Sequence, residues 1–309
     1  MSAKPSIDRN RLARERIAAQ RATDQHRRTM IQIAGVATAV VLVAVAALVG
    51  VRLARHSTTA AAAKAPSTVQ AMSGAAPASL VAQVTGVTAV TLNQVGAGQV
   101  SELPVTVKSA PALTSGGKPE VVYIGAEYCP YCAAERWPMI IALSRFGTFH
   151  NLGLTHSASG DVYPNTPTFS FHGASYTSAY LAFSGVETNT NQPTASGYTT
   201  LDTPTAAQQQ LLTTYDAAPY IPAAGAGSIP FADLGGQFLI SGASYSPQLL
   251  AGMTQQQVAA VLNEPANPVA QAVDGTANAL TTALCKLTGD KPADVCASAA
   301  ATADQGKLG

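Results

Sequence analysis

The sequence predicts an α/β domain carried behind a single N-terminal membrane-spanning helix. Three observations predict it. Residues 30–51 form an uncharged run, residues 120–125 form a short β-branched and aromatic run, and that run leads into Cys129-Pro130-Tyr131-Cys132 followed by helical apolar spacing. The bulk composition agrees, with 47% hydrophobic and 11% charged residues, against about 25% charged in an ordinary globular domain. A membrane segment or an Ala/Val/Thr-rich extracytoplasmic protein each lowers charge in this way.

Residues 1–29 are polar and hold eight of the Lys and Arg residues: Lys4, Arg9, Arg11, Arg14, Arg16, Arg21, Arg27 and Arg28. The run at 30–51 then has about the length that a helix needs to cross a bilayer, roughly 20 residues. A cleaved signal peptide is the alternative, but its apolar and basic regions are both shorter than these. Only Arg52, Arg55 and Lys64 follow closely. The positive-inside rule therefore keeps the N-terminus cytoplasmic and sends the remainder outside, a single-pass signal anchor in the cell membrane. Outside the tail the charge is near neutral, which excludes a nucleic-acid surface.

Residues 52–80 are rich in Ala, Ser, Thr and Pro with no apolar period, and read as a flexible linker. Order is expected from near Leu80. Short β-like runs are expected at Val84–Leu92 and Pro104–Val107, with a turn at Ser115–Pro119. Glu120–Gly125 reads as a buried parallel strand. Ala133–Leu143 reads as a helix that Pro138 kinks without ending. Thr168–Phe171 and Tyr180–Phe183 are further strands, residues 184–204 a polar loop, and Thr205–Tyr215 a helix. Ser228–Ile240 reads as a hairpin turning at Gly235-Gly236. Thr254–Leu262 is a helix with Thr254 and Gln257 placed for a capping box. Val269–Cys285 is a last long helix, and the segment after Cys296 is expected to be loose.

A C-x-x-C between strand and helix suits thiol chemistry. It sets the first sulfur at a helix N-terminus, where unpaired N–H groups and the macrodipole stabilise a thiolate. Cys129 would be the exposed nucleophile, and Cys132, one turn inward, the resolving thiol. Pro130 suits the first helical turn, where its missing N–H is not needed. Half of a zinc site and a local structural disulfide are the alternatives; the strand-to-helix context and the lack of a second short pair weigh against both. No metal and no cofactor is expected. His26, His56, His150, His156 and His172 form no ligand spacing and read as surface or packing residues.

The segment Ile124–Cys132 resembles the active-site segment of the thioredoxin superfamily, and its inner dipeptide Pro130-Tyr131 is the one typical of glutaredoxins. The wider pattern resembles an uncharacterised prokaryotic family, domain of unknown function 929. The residues that carry this are Gly125–Trp137, Ser175–Ser178 with Phe183, Ile229-Pro230-Phe231 with Gly235-Gly236-Gln237, and the pair Cys285 and Cys296. The resemblance spans about residues 83–300. It implies a thioredoxin-like fold with an insertion between the active-site helix and the cis-Pro strand, over a domain at 81–301. That domain has a C-terminal helical, disulfide-stapled extension and a loose tail at 302–309. The implied activity is thiol–disulfide exchange. Ile229 and Pro230 would face the dithiol, with a cis peptide at Pro230 and the neighbouring backbone holding the substrate chain.

The resemblance also marks a departure, because Tyr123 stands where thioredoxins carry a buried carboxylate that moves protons for the resolving thiol. Glu127, Tyr128, Pro130 and Tyr131 are possible modulators. Cys285 and Cys296 read most simply as a structural disulfide worth about 3 kcal/mol on the loop-entropy model; an electron relay to Cys129 and Cys132 is the alternative. The expected partners are extracytoplasmic client proteins with cysteines, a membrane redox partner, and the membrane itself through residues 30–51. A binding or chaperone-like module on the same fold is the second functional expectation.

Overall fold

The computed structural model describes residues 74–223 and 225–308. The basic tail, the span at 30–51 and most of the linker lie outside the described residues. Among the described residues no helix is long and apolar enough to cross a membrane.

Strand β1 (Gly74–Ala75) and helices α1 (Ala78–Thr85) and α2 (Ala89–Val95) come first. Short strands β2 (Val105–Thr106) and β3 (Thr114–Ser115) lead to the long strand β4 (Lys118–Gly125) and helix α3 (Pro130–Ser144). Next come β5 (Gly147–His150), β6 (Gly153–His156), β7 (Pro167–Ser170) and β8 (Ser175–Ser178). Strands β9 (Ala182–Glu187), β10 (Asn189–Thr194) and β11 (Gly197–Thr200) then precede helix α4 (Ala206–Tyr215). The chain ends with β12 (Phe231–Leu234), β13 (Phe238–Ser241), α5 (Gln255–Val261), α6 (Pro268–Thr288), α7 (Ala293–Cys296) and α8 (Ala299–Thr302).

The architecture is mixed α/β, organised about β4. This strand pairs in parallel with β9 and antiparallel with β12, so the expected parallel strand has one neighbour of each kind. The main sheet runs β9, β4, β12, β13, β2, with β3 paired to the first residues of β4. Side chains on a strand alternate between faces. Val121 and Tyr123 accordingly join the larger core with α3, while Val122 and Ile124 join a smaller core with Val186, Phe231 and Leu239. Both faces of β4 are thereby covered, which is why its sequence is a continuous apolar run.

Helix α3 is buried along almost its whole length. It continues through Pro138, whose missing N–H leaves the Ala134 carbonyl without its helical donor. The Tyr245 hydroxyl supplies one at 2.7 Å. Trp137 is fully buried and donates its indole N–H to the Pro167 carbonyl at 2.9 Å, tying the helix to β7. On the other flank α3 packs against α6, which begins at an Asn267 cap and ends at Gly289 in the left-handed region. The β12–β13 hairpin turns on Gly235 and Gly236, at φ +65° and +72°. A Cβ on Gly236 would stand 2.2 Å from the Pro111 carbonyl oxygen, so only glycine fits there.

Several expectations are corrected. The run Val84–Leu92 is not a strand; it divides between α1 and α2, with Thr88 capping α2 through the Thr91 N–H. Valine favours strands only weakly, and burial of Leu80 with Val84, and of Leu92 with Val95, at helical spacing outweighs it. Residues 74–79, ahead of the expected start near Leu80, are already ordered, because β1 pairs with β6. Residues 184–204 are not a loop but the end of β9 and a β10–β11 hairpin. That hairpin is mostly exposed and so carries no apolar alternation. The segment after Cys296 is packed rather than loose: Ala300, Ala301 and Leu308 are buried, and Thr282 and Lys286 donate to the Ala301 and Leu308 carbonyls.

Candidate dithiol site

Strand β4 ends at Gly125, and the chain passes through Ala126, Glu127 and Tyr128 to Cys129, the N-cap residue of α3. Its sulfur accepts the Cys132 backbone N–H at 3.3 Å, replacing the capping oxygen used at most helix starts. Pro130 occupies the first turn as expected. Both thiols are free, with Cys129 5% exposed and Cys132 fully buried. The expectation that Cys129 is an exposed nucleophile is therefore corrected. Its thiol stands 3.6 Å from the Ile229 carbonyl.

The two thiols are driven in opposite directions. The Cys129 thiol is drawn below its ordinary range, foremost by the side-chain hydrogen bond with Cys132. Burial opposes this; the backbone N–H groups of Cys132 and Tyr131 and the charge of Arg136 add to it. Burial in turn pushes the Cys132 thiol well above its ordinary range. The thiol that ionises more readily thus lies beside one that burial keeps protonated.

The Ile229–Pro230 peptide is cis, and its Ile229 carbonyl faces the Cys129 thiol, which brings this peptide to the dithiol segment. Pro230 leads directly into β12, the antiparallel neighbour of β4. Tyr123 lies on β4 beneath the site, fully buried, with a hydroxyl that has no hydrogen-bond partner. Burial holds that hydroxyl protonated. Glu127 is also buried, 3.5 Å from the Thr155 hydroxyl, and does not face water.

Sequence reasoning missed Arg136 and Glu187, the fully buried ion pair behind the dithiol. Arg136 donates to the two Glu187 carboxylate oxygens at 2.8 and 2.6 Å, and to the Ala126 carbonyl at 2.8 Å. That same Ala126 carbonyl accepts the Cys129 N–H at 3.2 Å, which links the guanidinium to the nucleophile's backbone. Burial pushes the Glu187 carboxyl up and Arg136 pulls it down; the bidentate geometry and the Phe171 N–H at 3.2 Å are those of a carboxylate. Arg136 was within reach of sequence reasoning, since it lies four residues after Cys132 and so on the same helix face. Nothing local marks Glu187.

Two aromatic pairs border the site. The Tyr128 and Tyr198 rings stack at 4.2 Å, and Tyr131 meets Tyr163 edge-to-face at 5.9 Å. Elsewhere, Cys285 and Cys296 are bonded to each other between α6 and α7. Of the histidines within the described residues, His172 pairs with Asp202 at 2.7 Å, His156 contacts the Ser157 carbonyl and His150 lies beside Thr177.

A strand running into a Cys-Pro-Tyr-Cys helix start, opposite a cis prolyl peptide and above a buried ion pair, defines an α/β protein with a candidate thiol-exchange centre. The family model for a domain of unknown function, DUF929, matches residues 104–286, and the chain belongs to that family. No curated protein and no solved structure matches the chain.

Proposed function

We propose that the protein is a membrane-tethered thiol–disulfide oxidoreductase with a thioredoxin-like fold, acting on extracytoplasmic protein thiols and disulfides. The observation that carries this is two free thiols at a helix N-terminus, where the Cys129 sulfur accepts the Cys132 N–H and stands 3.6 Å from the Ile229 carbonyl; the opposite directions in which the two thiols are driven agree with it. In the reducing direction the Cys129 thiolate attacks a client disulfide. A Cys129–client bond forms, the client S–S bond breaks, and the departing client thiolate takes up a proton. Cys132 then loses its proton and attacks the Cys129 sulfur, leaving an intramolecular disulfide and a second client thiol. The oxidising direction is the reverse, with a client thiolate attacking the Cys129–Cys132 disulfide. The membrane span, the extracytoplasmic placement and a membrane partner that resets the dithiol belong to the same proposal and rest on residues 1–51 of the sequence.

The test is a trapping experiment on the full chain. Cys132→Ser should accumulate mixed disulfides with client proteins that reductant releases, and Cys129→Ser should accumulate none. Equal capture by both variants, or none by either, would overturn the proposal. The second reading is a binding or chaperone-like module with little turnover. The small exposure of Cys129 and the absence of a carboxylate at Tyr123 favour it. Catalytic disulfide exchange with a glutathione couple, lost in Cys129→Ser, would decide for the enzyme.

A further inference from the structure

The two aromatic pairs have a common construction. Each joins one residue of the dithiol segment, Tyr128 or Tyr131, to one residue brought by the chain between α3 and α4, Tyr198 or Tyr163. Both outer members are held in place. Tyr163 offers its carbonyl to the Ser157 and Thr166 hydroxyls at 2.8 and 2.9 Å, and its loop is tied to the dithiol segment by the Ala158 N–H on the Tyr128 carbonyl at 2.9 Å. The Tyr198 carbonyl accepts from the Asn189 side chain at 3.1 Å, while the Asn189 carbonyl accepts the Glu127 N–H at 2.9 Å.

Part of this border is apolar and open to solvent. Only five large apolar side chains are exposed among the described residues, and Tyr131 and Val162 are two of them, at 40% and 66%. Scattered single residues of this kind need no explanation, but Tyr131 belongs to the dithiol segment and Val162 adjoins its ring partner Tyr163 in the chain. Asp161, two residues before Tyr163, is a carboxylate whose charge bears on both Tyr128 and Tyr131. Cys129 itself shows only 5% of its surface, which suits a slim, extended segment better than a disulfide on the face of a folded protein.

We infer that the frame formed by Tyr128, Tyr198, Tyr131 and Tyr163, with Asp161 at its edge, selects clients in which the reacting cysteine sits in an extended segment beside an aromatic or aliphatic residue and near a cationic one. This inference rests on the oxidoreductase reading of the same dithiol and names its substrate class. The rings supply contact area at small entropic cost because they are already fixed. The sulfur is delivered between the two pairs, and its neighbours on either side lie against the rings.

The probes are peptides with a single cysteine, blocked as a mixed disulfide with 2-nitro-5-thiobenzoate and flanked by Phe, by Gly, or by Phe and Lys. Full-length Cys132→Ser attacks the peptide sulfur through Cys129, so that one S–S bond forms, one breaks, and coloured thionitrobenzoate departs. The Phe-flanked probe should react about 10-fold faster than the Gly-flanked one, the scale of one aromatic contact. Adding Tyr163→Ser and Tyr198→Ser should bring that ratio within 2-fold, and each single variant should lower it part of the way. Asp161→Asn should remove only the extra gain from Lys. The ratio is its own control, since a merely loosened fold slows both probes alike. Equal rates in the unsubstituted frame, or a ratio that survives loss of both rings, would overturn the inference and leave the oxidoreductase reading standing. No reaction of any probe would sink both.

Discussion

The two cysteine pairs are almost equally hidden. Cys129 and Cys132 are 5% and 0% exposed, Cys285 and Cys296 2% and 5%. They differ in what surrounds the sulfur. Cys129 stands at a helix start, accepts a backbone N–H, faces a carbonyl across the site and feels the Arg136 guanidinium. Cys285 lies within α6 among Ala283, Leu284 and Ala301, and Cys296 closes the next helix, its N–H committed to the Pro292 carbonyl. Exposure therefore does not separate the free thiols from the bonded pair. The polarity of the immediate surroundings does, and that polarity comes from where each cysteine falls along its helix.

Four experiments break or sharpen this contrast. The largest effect is expected from Arg136→Ala, which leaves the buried Glu187 charge without a partner and should cost about 3–5 kcal/mol. Urea unfolding would measure it, and a loss under 1 kcal/mol would mean that the pair is not a buried ion pair. Next, Cys285→Ala with Cys296→Ala should lower stability by about 3 kcal/mol, yet leave the alkylation rate of Cys129 unchanged. A large change in that rate would favour a relay between the pairs.

The third concerns the thiols directly. In the reduced full chain Cys129 should be alkylated at least ~10-fold faster than Cys132 near neutral pH, because one thiol is pulled down and the other pushed up. Peptide mapping after a short iodoacetamide pulse reads this, and faster labelling of Cys132 would reverse the assigned roles. The fourth is a pH slope set by one buried carboxyl on each of α3 and α6. Burial pushes Glu135 on α3 up to about 7, although Ser244 donates to it, and Asp274 on α6 up to about 8. In the unfolded chain these groups ionise near 4.5 and 3.8. Between those values and 7 to 8 the folded state holds more protons. Its stability is therefore full below about pH 4 and declines as pH rises, by at most about 1.4 kcal/mol per unit for each group. Asp274→Asn should flatten the upper part of that decline, and an unchanged slope would count against the burial of its charge.

The parts of the fold that sequence made legible are those specified over a few residues. The strand into Cys129–Cys132, the helix after it, the Gly235-Gly236 turn and the Thr254–Gln257 capping box each depend on local chemistry. What stayed hidden depends on distant partners. Val84–Leu92 is helical because of what Leu80, Val84, Leu92 and Val95 bury against, and β10–β11 is a strand pair without any apolar period. Glu187 meets Arg136 across 51 positions, and Tyr163 and Tyr198 reach the dithiol only through loop and hairpin contacts. The dithiol was visible from its own segment, while its electrostatic support and its border were not.

Pro138 and Tyr245 carry a consequence for how such a sequence can change. The hydroxyl of one serves the carbonyl that the other strips of its donor. Replacing Tyr245 by Phe alone orphans a buried carbonyl, whereas replacing Pro138 by Ala first restores the helical donor and makes the hydroxyl dispensable. The two positions, 107 apart in the chain, are tied as a pair: among relatives with this helix, a proline at the first predicts a hydroxyl-bearing ring at the second, and exchanges there should occur together.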